Sequence, residues 1–523
     1  MAFKPKAPKL AIKKTKNKQL NKTTNHKNLK KGTGLLQKTA TKTVLGIFSI
    51  LIVLGAYFFD LGNKVDEETE NIYGGWRIAD NETVATIGSD FCNIERRYAD
   101  ELSEEVFEKI YRFKKPVILL FKNGAKDWTE PKRWQLENLK EEYGRWAVNS
   151  GNSIEIVRNG GSGNVVTSFT QFLEKLFPKE APIGDPFYMF DRAFFNDTSL
   201  ADTLNPPSYL QIKPHTYASI FLLGASRSGV SFHNHGDGWN GVIYGQKRWF
   251  IYLKDKAPPG GIYPGFTQTE WHQKVYPNLT DDKKPLECIQ RAGELLYLPE
   301  GAYHSTLNLG DTIAIAFQTK NFTVDSVKLH YDEQKIQGKM RTEKSESVIK
   351  TLIDESREIL LSLLEITPEN AEIYNRLGMS YMASEEYETA ITHFNKAIEI
   401  DPYFVLAYMN IGEMYAQMGK NDLAEENLKY ATELSPMLWD CYAAYGDFLK
   451  HRNRIREAIE LYRKGTEVEP TMKPFWKAMR DAQKILGDVE GAKKSQEQMD
   501  WLQKVGKGAG IHLARNTTHH HHH

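Results

Sequence analysis

Residues 231–252 read SFHNHGDGWNGVIYGQKRWFIY and decide the fold of the chain around them. Two histidines, an aspartate and a lysine stand between short apolar segments in this stretch. A second block, residues 293–316, reads GELLYLPEGAYHSTLNLGDTIAIA and adds His304. Short strands that bring two histidines and a carboxylate together predict a metal in the mouth of a small β-barrel.

Short apolar segments continue over residues 218–318, where SIFLLG, VIYG, KRWFIYL, ELLYLP and TIAIAFQ are separated by Gly and Pro. This spacing is typical of an all-β barrel or sandwich and not of alternating β-α units. We therefore predict an all-β barrel or sandwich in this part of the chain.

The candidate metal ligands are His233 and His304, together with a third residue. Two imidazoles and one carboxylate on one face of an ion form the facial triad, which leaves positions open for a co-substrate and oxygen. The carboxylate usually stands two residues after the first histidine, where this chain has His235, and Asp237 follows two residues later. The third ligand is therefore Asp237 or His235. Alternatively, Asp237 caps backbone amides in a Gly-Asp-Gly turn.

Lys247 and Asn240 are the candidate cofactor-binding residues. A lysine on a strand that leaves the pocket can bind the distal carboxylate of a dicarboxylic co-substrate, and an asparagine can donate a hydrogen bond to it. The alternative is that KRWFIYL is an amphipathic strand whose lysine faces solvent.

The N-terminal region differs from the rest in charge. Residues 1–43 carry thirteen lysines and no acid, so the remainder of a chain of net charge +1 sums to −12, which excludes a nucleic-acid footprint beyond this tail. We expect residues 1–42 to be a disordered cytosolic tail and residues 43–62 to be a transmembrane signal anchor. The protein would then be a type II membrane protein of the endoplasmic reticulum or Golgi, with a stalk at 63–89 and luminal domains.

Two other features bear on the compartment. Cys92 and Cys288 form a disulfide if the compartment is oxidising, or they are buried free thiols. Asn-x-Thr acceptors for glycosylation stand at five positions after residue 62, namely Asn81, Asn196, Asn278, Asn321 and Asn516.

A 34-residue period governs the C-terminal part, where Pro368, Pro402, Pro436 and Pro470 are equally spaced. Glycines at 378, 412 and 446 and alanines at 390, 424, 458 and 492 keep the same period. This period is typical of tetratricopeptide repeats, so we predict an all-α solenoid over residues 347–504 that binds a protein or peptide partner in its groove. Its fourth unit is degenerate, since Arg480 replaces the glycine. A tail at 505–523 ends in five histidines, which are either a tag or a natural His-rich end.

The stretches FHNHGDGWNGVIYGQKRWFIY, PLECIQRAGELLYLP and HSTLNL resemble the JmjC (jumonji) class of cupins, and FCNIERR and RFKKPVILL fit its N-terminal part. The resemblance covers residues 91–317. It implies a double-stranded β-helix with helical flanks, which we place at residues 90–330, and hydroxylation or demethylation that depends on iron(II) and 2-oxoglutarate. It also implies that His233 and His304 are metal ligands, that Lys247 binds the distal carboxylate of 2-oxoglutarate, and that Asn240 is a pocket asparagine.

The chain departs from the pattern of this class at three positions. His235 stands at the acidic ligand position, Val230 where a co-substrate-binding threonine is frequent, and Ala316 where a polar residue is frequent. Two hypotheses follow. The chain is an oxygenase that hydroxylates proteins presented by its repeats, or it is a non-catalytic adaptor with a degenerate JmjC domain.

Overall fold

The computed structural model describes residues 72–158, 160–177, 185–211, 217–254, 256–262, 265–319 and 322–508. It contains a β domain, residues 72–319, followed by a helical region that ends in a repeat array, residues 371–508. The strands are β1 (Arg96–Tyr98), β2 (Val117–Leu120), β3 (Ala147–Gly151), β4 (Val165–Ser168), β5 (Tyr188–Asp191), β6 (Tyr217–Gly224), β7 (Gly229–His233), β8 (Gly238–Tyr252), β9 (Leu286–Arg291), β10 (Leu295–Leu298) and β11 (Tyr303–Thr319).

Helices of six or more residues lie before, between and after the strands along the chain. They are α1 (Asn81–Ile87), α2 (Glu104–Ile110), α3 (Leu136–Tyr143), α4 (Ser153–Arg158), α5 (Asp325–Thr342), α6 (Glu346–Ile366), α7 (Ala371–Ala383), α8 (Tyr387–Ile400), α9 (Val405–Gln417), α10 (Asn421–Leu434), α11 (Trp439–His451), α12 (Ile455–Val468), α13 (Lys473–Leu486) and α14 (Val489–Gly508).

The strands form one sheet in the order β1-β2-β10-β8-β11-β6-β5-β3-β4, with β7 paired to β11 and β9 paired to β8. The described pairs are antiparallel except β1 with β2. The sequence segments VIYG and KRWFIYL, expected as separate strands, lie within the single 15-residue strand β8. Side chains from β5, β6, β7, β8, β10 and β11 line one cavity, so the sheet curls around it. This agrees with the predicted β-barrel domain.

The folded domain begins earlier than predicted. The segment 63–89 was expected to be an irregular stalk, but its residues around Trp76 pack on the β domain. The indole of buried Trp76 donates a hydrogen bond to the carbonyl of Trp134, and Arg77 forms an ion pair with Asp311 at 2.8 Å. Helix α1 follows, because the Asp80 carboxylate accepts a hydrogen bond from the amide of Thr83 and caps its N-terminus.

Cys92 and Cys288 form a disulfide, with their Cα atoms 4.3 Å apart. The bond joins the segment before β1 to strand β9, across 196 residues of sequence. Cys441 is a buried free thiol, and burial raises its pKa well above the ordinary value. Of the two alternatives for Cys92 and Cys288, the structure therefore selects the bridge.

Thiol labelling tests this assignment. In denaturant without reductant, iodoacetamide is expected to modify one cysteine, Cys441, and three after reduction. In Cys288→Ser the unreduced denatured chain is expected to expose two thiols, because Cys92 loses its partner. Three labelled cysteines without reductant would contradict the bridge. Loss of the bond is expected to lower the free energy of unfolding by about 2–5 kcal/mol, measured by denaturant titration.

The repeat array follows the predicted 34-residue period. Helix pairs α7–α8, α9–α10 and α11–α12 are the three full units, and α13–α14 is the fourth. The glycines permit close crossing of the paired helices, since a Cβ at Gly378 would lie 2.5 Å from the ring of Phe394. In the degenerate unit the guanidinium of Arg480 donates to Asp481 and Gln496 instead.

The array contacts the β domain through one equivalent position in successive repeats. Three buried polar residues, 34 apart, stand after the second helix of each unit, and each forms a hydrogen bond with the β domain. The bonds join Asp401 to the amide of Gly260 at 2.7 Å, Ser435 to Glu270 at 2.9 Å, and Glu469 to Asn152 at 2.5 Å. The sequence period therefore also organises the contact between the domains.

The predicted transmembrane anchor at 43–62 lies outside the described residues, as does the tail at 1–42. Of the tail predicted at 505–523, residues 505–508 belong to helix α14, and residues 509–523 lie outside the described part of the chain. Within the part of the chain that the structure describes, no helix has the length and apolar character needed to cross a bilayer.

Candidate metal centre

Three histidines meet in the cavity that the curled sheet encloses. His233 ends β7, and His304 lies opposite it near the start of β11. Their rings are 4.2 Å apart between centroids, and the ring of His235, in the loop after β7, is 4.7 Å from that of His304. One nitrogen from each ring lies within 4.8 Å of the other two. Among the described residues, these three form the candidate metal-binding cluster.

The Nδ1 atom of each histidine is held by a backbone carbonyl. His233 Nδ1 lies 2.9 Å from the oxygen of Ser231, His304 Nδ1 is 2.9 Å from that of Ala302, and His235 Nδ1 is 2.6 Å from that of Gly236. Because a carbonyl oxygen only accepts, each Nδ1 must carry the proton, and each Nε2 lone pair is left for a metal. Such outer hydrogen bonds orient metal-binding histidines and fix their tautomer.

Burial keeps all three imidazoles neutral at neutral pH. It lowers the pKa of His233 to about 4 and that of His235 to about 3. The pKa of His304 also falls well below its ordinary value, first through burial and then through the neighbouring histidines. A neutral imidazole is the form that binds a metal ion, so the cluster is ready to bind a cation without first releasing protons.

Asp237 lies apart from this cluster. Its carboxylate is buried and pairs with Arg112 at 2.8 Å, and it accepts a hydrogen bond from the Thr319 hydroxyl at 2.9 Å. Of the two predicted third ligands, the structure brings His235 to the other histidines and places Asp237 in this ion pair. The alternative that Asp237 only caps a turn is also wrong, since its partners are side chains of distant segments.

Lys247 points into the protein and not into solvent. Only 1% of its surface is exposed, and Nζ donates to the hydroxyl of Tyr188 at 2.7 Å and to Oδ1 of Asn308 at 3.0 Å. Burial lowers its pKa to about 7. An ammonium has three N–H donors, so one remains for a ligand.

Tyr188 and Asn308 were not identified as site residues from the sequence, although the alternation of side chains along a strand indicates Asn308. Asn308 stands four residues after His304 in the same strand, and residues two apart in a strand share a face. Tyr188 comes from β5, whose place beside β6 no local pattern indicates.

The residues that line the cavity have the chemistry to bind a metal ion and a small anionic co-substrate, although the cavity is narrow. Its volume is about 40 Å³, and Lys247, Asn240 and the three histidines all line it. Asn240 is buried, and its Oδ1 has no hydrogen-bond partner among the described residues. Three nitrogen donors, one buried lysine and one unsatisfied amide oxygen are groups that a bound metal and polar ligand would satisfy. Val230 and Ala316 contribute apolar wall at the two other departures from the class pattern.

Comparison with known proteins agrees with this site. A family profile described as "JmjC domain, hydroxylase" matches residues 233–319, and tetratricopeptide repeat profiles match residues 371–404 and 405–436. The chain is 34% identical over 253 residues to JmjC domain-containing protein 8 of Mus musculus, covering 46% of this chain and 88% of that protein.

Two more distant relatives extend the comparison. Lysine-specific demethylase JMJ21 of Arabidopsis thaliana is 29% identical, over 44% of this chain and 25% of that protein. The bifunctional arginine demethylase and lysyl-hydroxylase psr-1 of Caenorhabditis elegans is 26% identical, over 54% of this chain and 72% of that protein. From the curled sheet, the histidine cluster and these matches, we conclude that the chain belongs to the JmjC domain family and carries tetratricopeptide repeats after that domain.

Proposed function

We propose that the chain is a JmjC-type protein hydroxylase that binds iron(II) through three histidines and uses 2-oxoglutarate as co-substrate. The observation that carries the proposal is the convergence of His233, His235 and His304, each with its Nδ1–H bound to a carbonyl and Nε2 left for a metal. Iron(II) with 2-oxoglutarate, when bound, supplies oxidation of an unactivated C–H bond by oxygen.

The residues around this centre have separable roles in the proposal. The three neutral imidazoles hold the metal without adding negative charge, so the full positive charge of the ion attracts an anionic co-substrate. Lys247 offers its remaining N–H to the distal carboxylate, with Tyr188 and Asn308 fixing the direction of Nζ. The apolar walls exclude water from the cavity.

The proposed substrate is a side chain of a protein. Relatives of this chain are named for chemistry on lysine and arginine residues, which supports a polypeptide substrate here. The repeat array supports the same view, since such arrays present extended concave surfaces for binding. We propose that the array binds the substrate protein or a partner that delivers it.

The test is direct. The chain without residues 519–523, whose histidines would bind metal by themselves, is loaded with iron(II) without oxygen, and bound iron is measured. 2-Oxoglutarate, candidate peptides and oxygen are then added, and succinate release is measured. One iron per chain and peptide-stimulated succinate release are expected. Absence of iron binding together with absence of 2-oxoglutarate turnover would overturn the proposal.

Binding of 2-oxoglutarate is expected to weaken as pH rises above about 7, because Lys247 has a pKa lowered by burial to about 7 and loses its charge there. Below that pH the ammonium is charged and binds the carboxylate. Calorimetry between pH 6 and pH 8.5 is expected to show roughly a thirtyfold loss of affinity, since affinity falls about tenfold per pH unit above the pKa and pH 8.5 lies about 1.5 units above it.

A matched pair of variants isolates this lysine. Lys247→Met is expected to remove both the binding and its pH dependence, whereas Lys464→Met, at an exposed position of α12, leaves them unchanged. Wild-type affinity that is constant over this pH range would contradict the assigned role of Lys247.

A second candidate function, a non-catalytic adaptor, is favoured by the size of the cavity. At about 40 Å³ it is far smaller than the roughly 300–1,000 Å³ of ordinary small-molecule sites, so the walls must move to admit 2-oxoglutarate. The triad also lacks a carboxylate. In this proposal the JmjC domain supports the repeats, which gather partners. Succinate release that His304→Ala abolishes would exclude it.

We further propose that the folded domains lie in the lumen of the endoplasmic reticulum or Golgi, with residues 43–62 as a type II anchor. The disulfide between Cys92 and Cys288 supports an oxidising compartment. Exposed Asn81 and Asn278, each in an Asn-x-Thr triplet, support it as well. Glycosidase treatment of the protein from secretory cells is expected to increase its gel mobility. Unchanged mobility together with protease accessibility in sealed microsomes would contradict this location.

A further inference from the structure

A second cavity lies between the β domain and the repeat array. Its volume is about 230 Å³, and Tyr252 and residues 256–259, 261–262 and 282–283 line it on one side. Residues 369–372 and 400–404, at the junction of the first two repeats, contribute the other side. Both domains therefore build it, and it lies outside the histidine cavity.

The charged groups buried in this cavity are acidic. Glu372 is 6% exposed and Asp401 is 9% exposed. Lys256, Lys283, Asp282 and Glu369 also line the cavity, but all four are exposed. The two lysines and two acids at the rim balance one another, and the charged groups that line the interior are carboxylates.

One of the buried carboxylates is incompletely satisfied. Glu372 Oε1 accepts a hydrogen bond from Nε of Arg376 at 2.6 Å, but Oε2 is buried without a hydrogen-bond partner among the described residues. Asp401, in contrast, accepts from the amides of Gly260 and Tyr403. A buried carboxylate oxygen without a partner costs free energy comparable to a lost charged hydrogen bond, and a ligand that donates to it recovers that cost.

Aromatic side chains complete the lining. Tyr252, Tyr303 and Phe404 are each at most 4% exposed and contribute to the walls. Aromatic faces attract cations, and the attraction increases when the cation is removed from water. Carboxylates with aromatic walls are a combination that recognises an ammonium or guanidinium group.

We propose that this cavity binds the cationic end of a lysine or arginine side chain from a partner polypeptide. A volume of about 230 Å³ is below the roughly 300–1,000 Å³ of small-molecule sites and suits one side chain. Burial raises the pKa of the Glu372 carboxyl and raises that of Asp401 to about 6, because it disfavours the charged carboxylates. A cation bound beside them would stabilise these charged forms.

The position of the cavity gives this binding a route to the metal centre. Tyr303 directly precedes His304 in β11, and its register partner in β8 is Tyr252. An occupant would thus contact the two strands behind the histidine cluster and the first two repeats together. The inference does not depend on catalysis and holds for the adaptor as well.

The test compares cations with neutral isosteres. Calorimetry on the full chain uses N-acetyl-arginine amide against N-acetyl-citrulline amide, and N-acetyl-lysine amide against N-acetyl-6-hydroxynorleucine amide. At least one cation is expected to bind about tenfold more tightly than its isostere. Equal affinities within both pairs, or no detectable binding of either cation, would overturn the proposal, and these wild-type measurements need no variant.

Variants then locate the binding. Glu372→Gln is expected to weaken the preferred cation about tenfold, and Glu388→Gln, an exposed position of α8, is expected to leave it unchanged. Because Arg376 also pairs with Glu333, the helix retains one ion pair in the first variant, and its melting temperature is measured in parallel. Cation binding that persists undiminished in folded Glu372→Gln would place the site elsewhere and overturn the assignment.

Discussion

His304→Ala is expected to abolish stoichiometric metal binding. The variant removes one of three converging Nε2 donors, and His233 and His235 alone do not enclose a face of the ion. We expect the affinity to fall at least about 100-fold, because loss of an outer hydrogen-bonding partner of a ligand already costs roughly 10–100-fold. Metal analysis after dialysis should therefore give about one ion per wild-type chain and close to none for the variant.

The measurement requires a chain without residues 519–523, since five terminal histidines would bind metal by themselves. His451→Ala is the matched control, because His451 is exposed on α11 in the repeat array. It should retain full metal content. Equal metal content in both variants would show that the three histidines do not form the site.

Asp237→Asn is expected to have the opposite effect, with destabilisation of the fold and no loss of metal. Asp237 is buried, and the variant leaves the guanidinium of Arg112, itself largely buried, without its buried carboxylate partner. Breaking a buried ion pair by removing one partner costs about 3–5 kcal/mol, so the midpoint of denaturant unfolding should fall clearly. The bound metal, measured below that midpoint, should remain at one ion per chain.

Glu108→Gln is a suitable control for this variant. Glu108 also pairs with Arg112, at 3.0 Å, but its side chain is 47% exposed. Exposed pairs contribute about 0–1 kcal/mol, so this variant should unfold close to the wild type. Loss of metal in folded Asp237→Asn would contradict our assignment and return Asp237 to the ligand set.

Much of the fold was predictable from local pattern. The β segments, the 34-residue repeats and the approach of His233 to His304 all follow from residue spacing. The packing of Trp76 and Arg77 on the β domain was not predictable, because they are anchored by Trp134 and Asp311, which are far away in sequence. Nor did the pattern show that VIYG and KRWFIYL form one strand.

The sequence by itself determined the domain order, two histidines of the candidate metal centre and the candidate lysine, because strand and repeat periodicities are local properties of the chain. The tertiary structure decided the roles of His235 and Asp237, which stand two residues apart. His235 turns toward His304, while Asp237 is drawn to Arg112, 125 residues earlier in the chain. The orientation of each side chain depends on which charged residue from a distant part of the sequence the fold brings close to it. The spacing of residues within a motif does not contain that information.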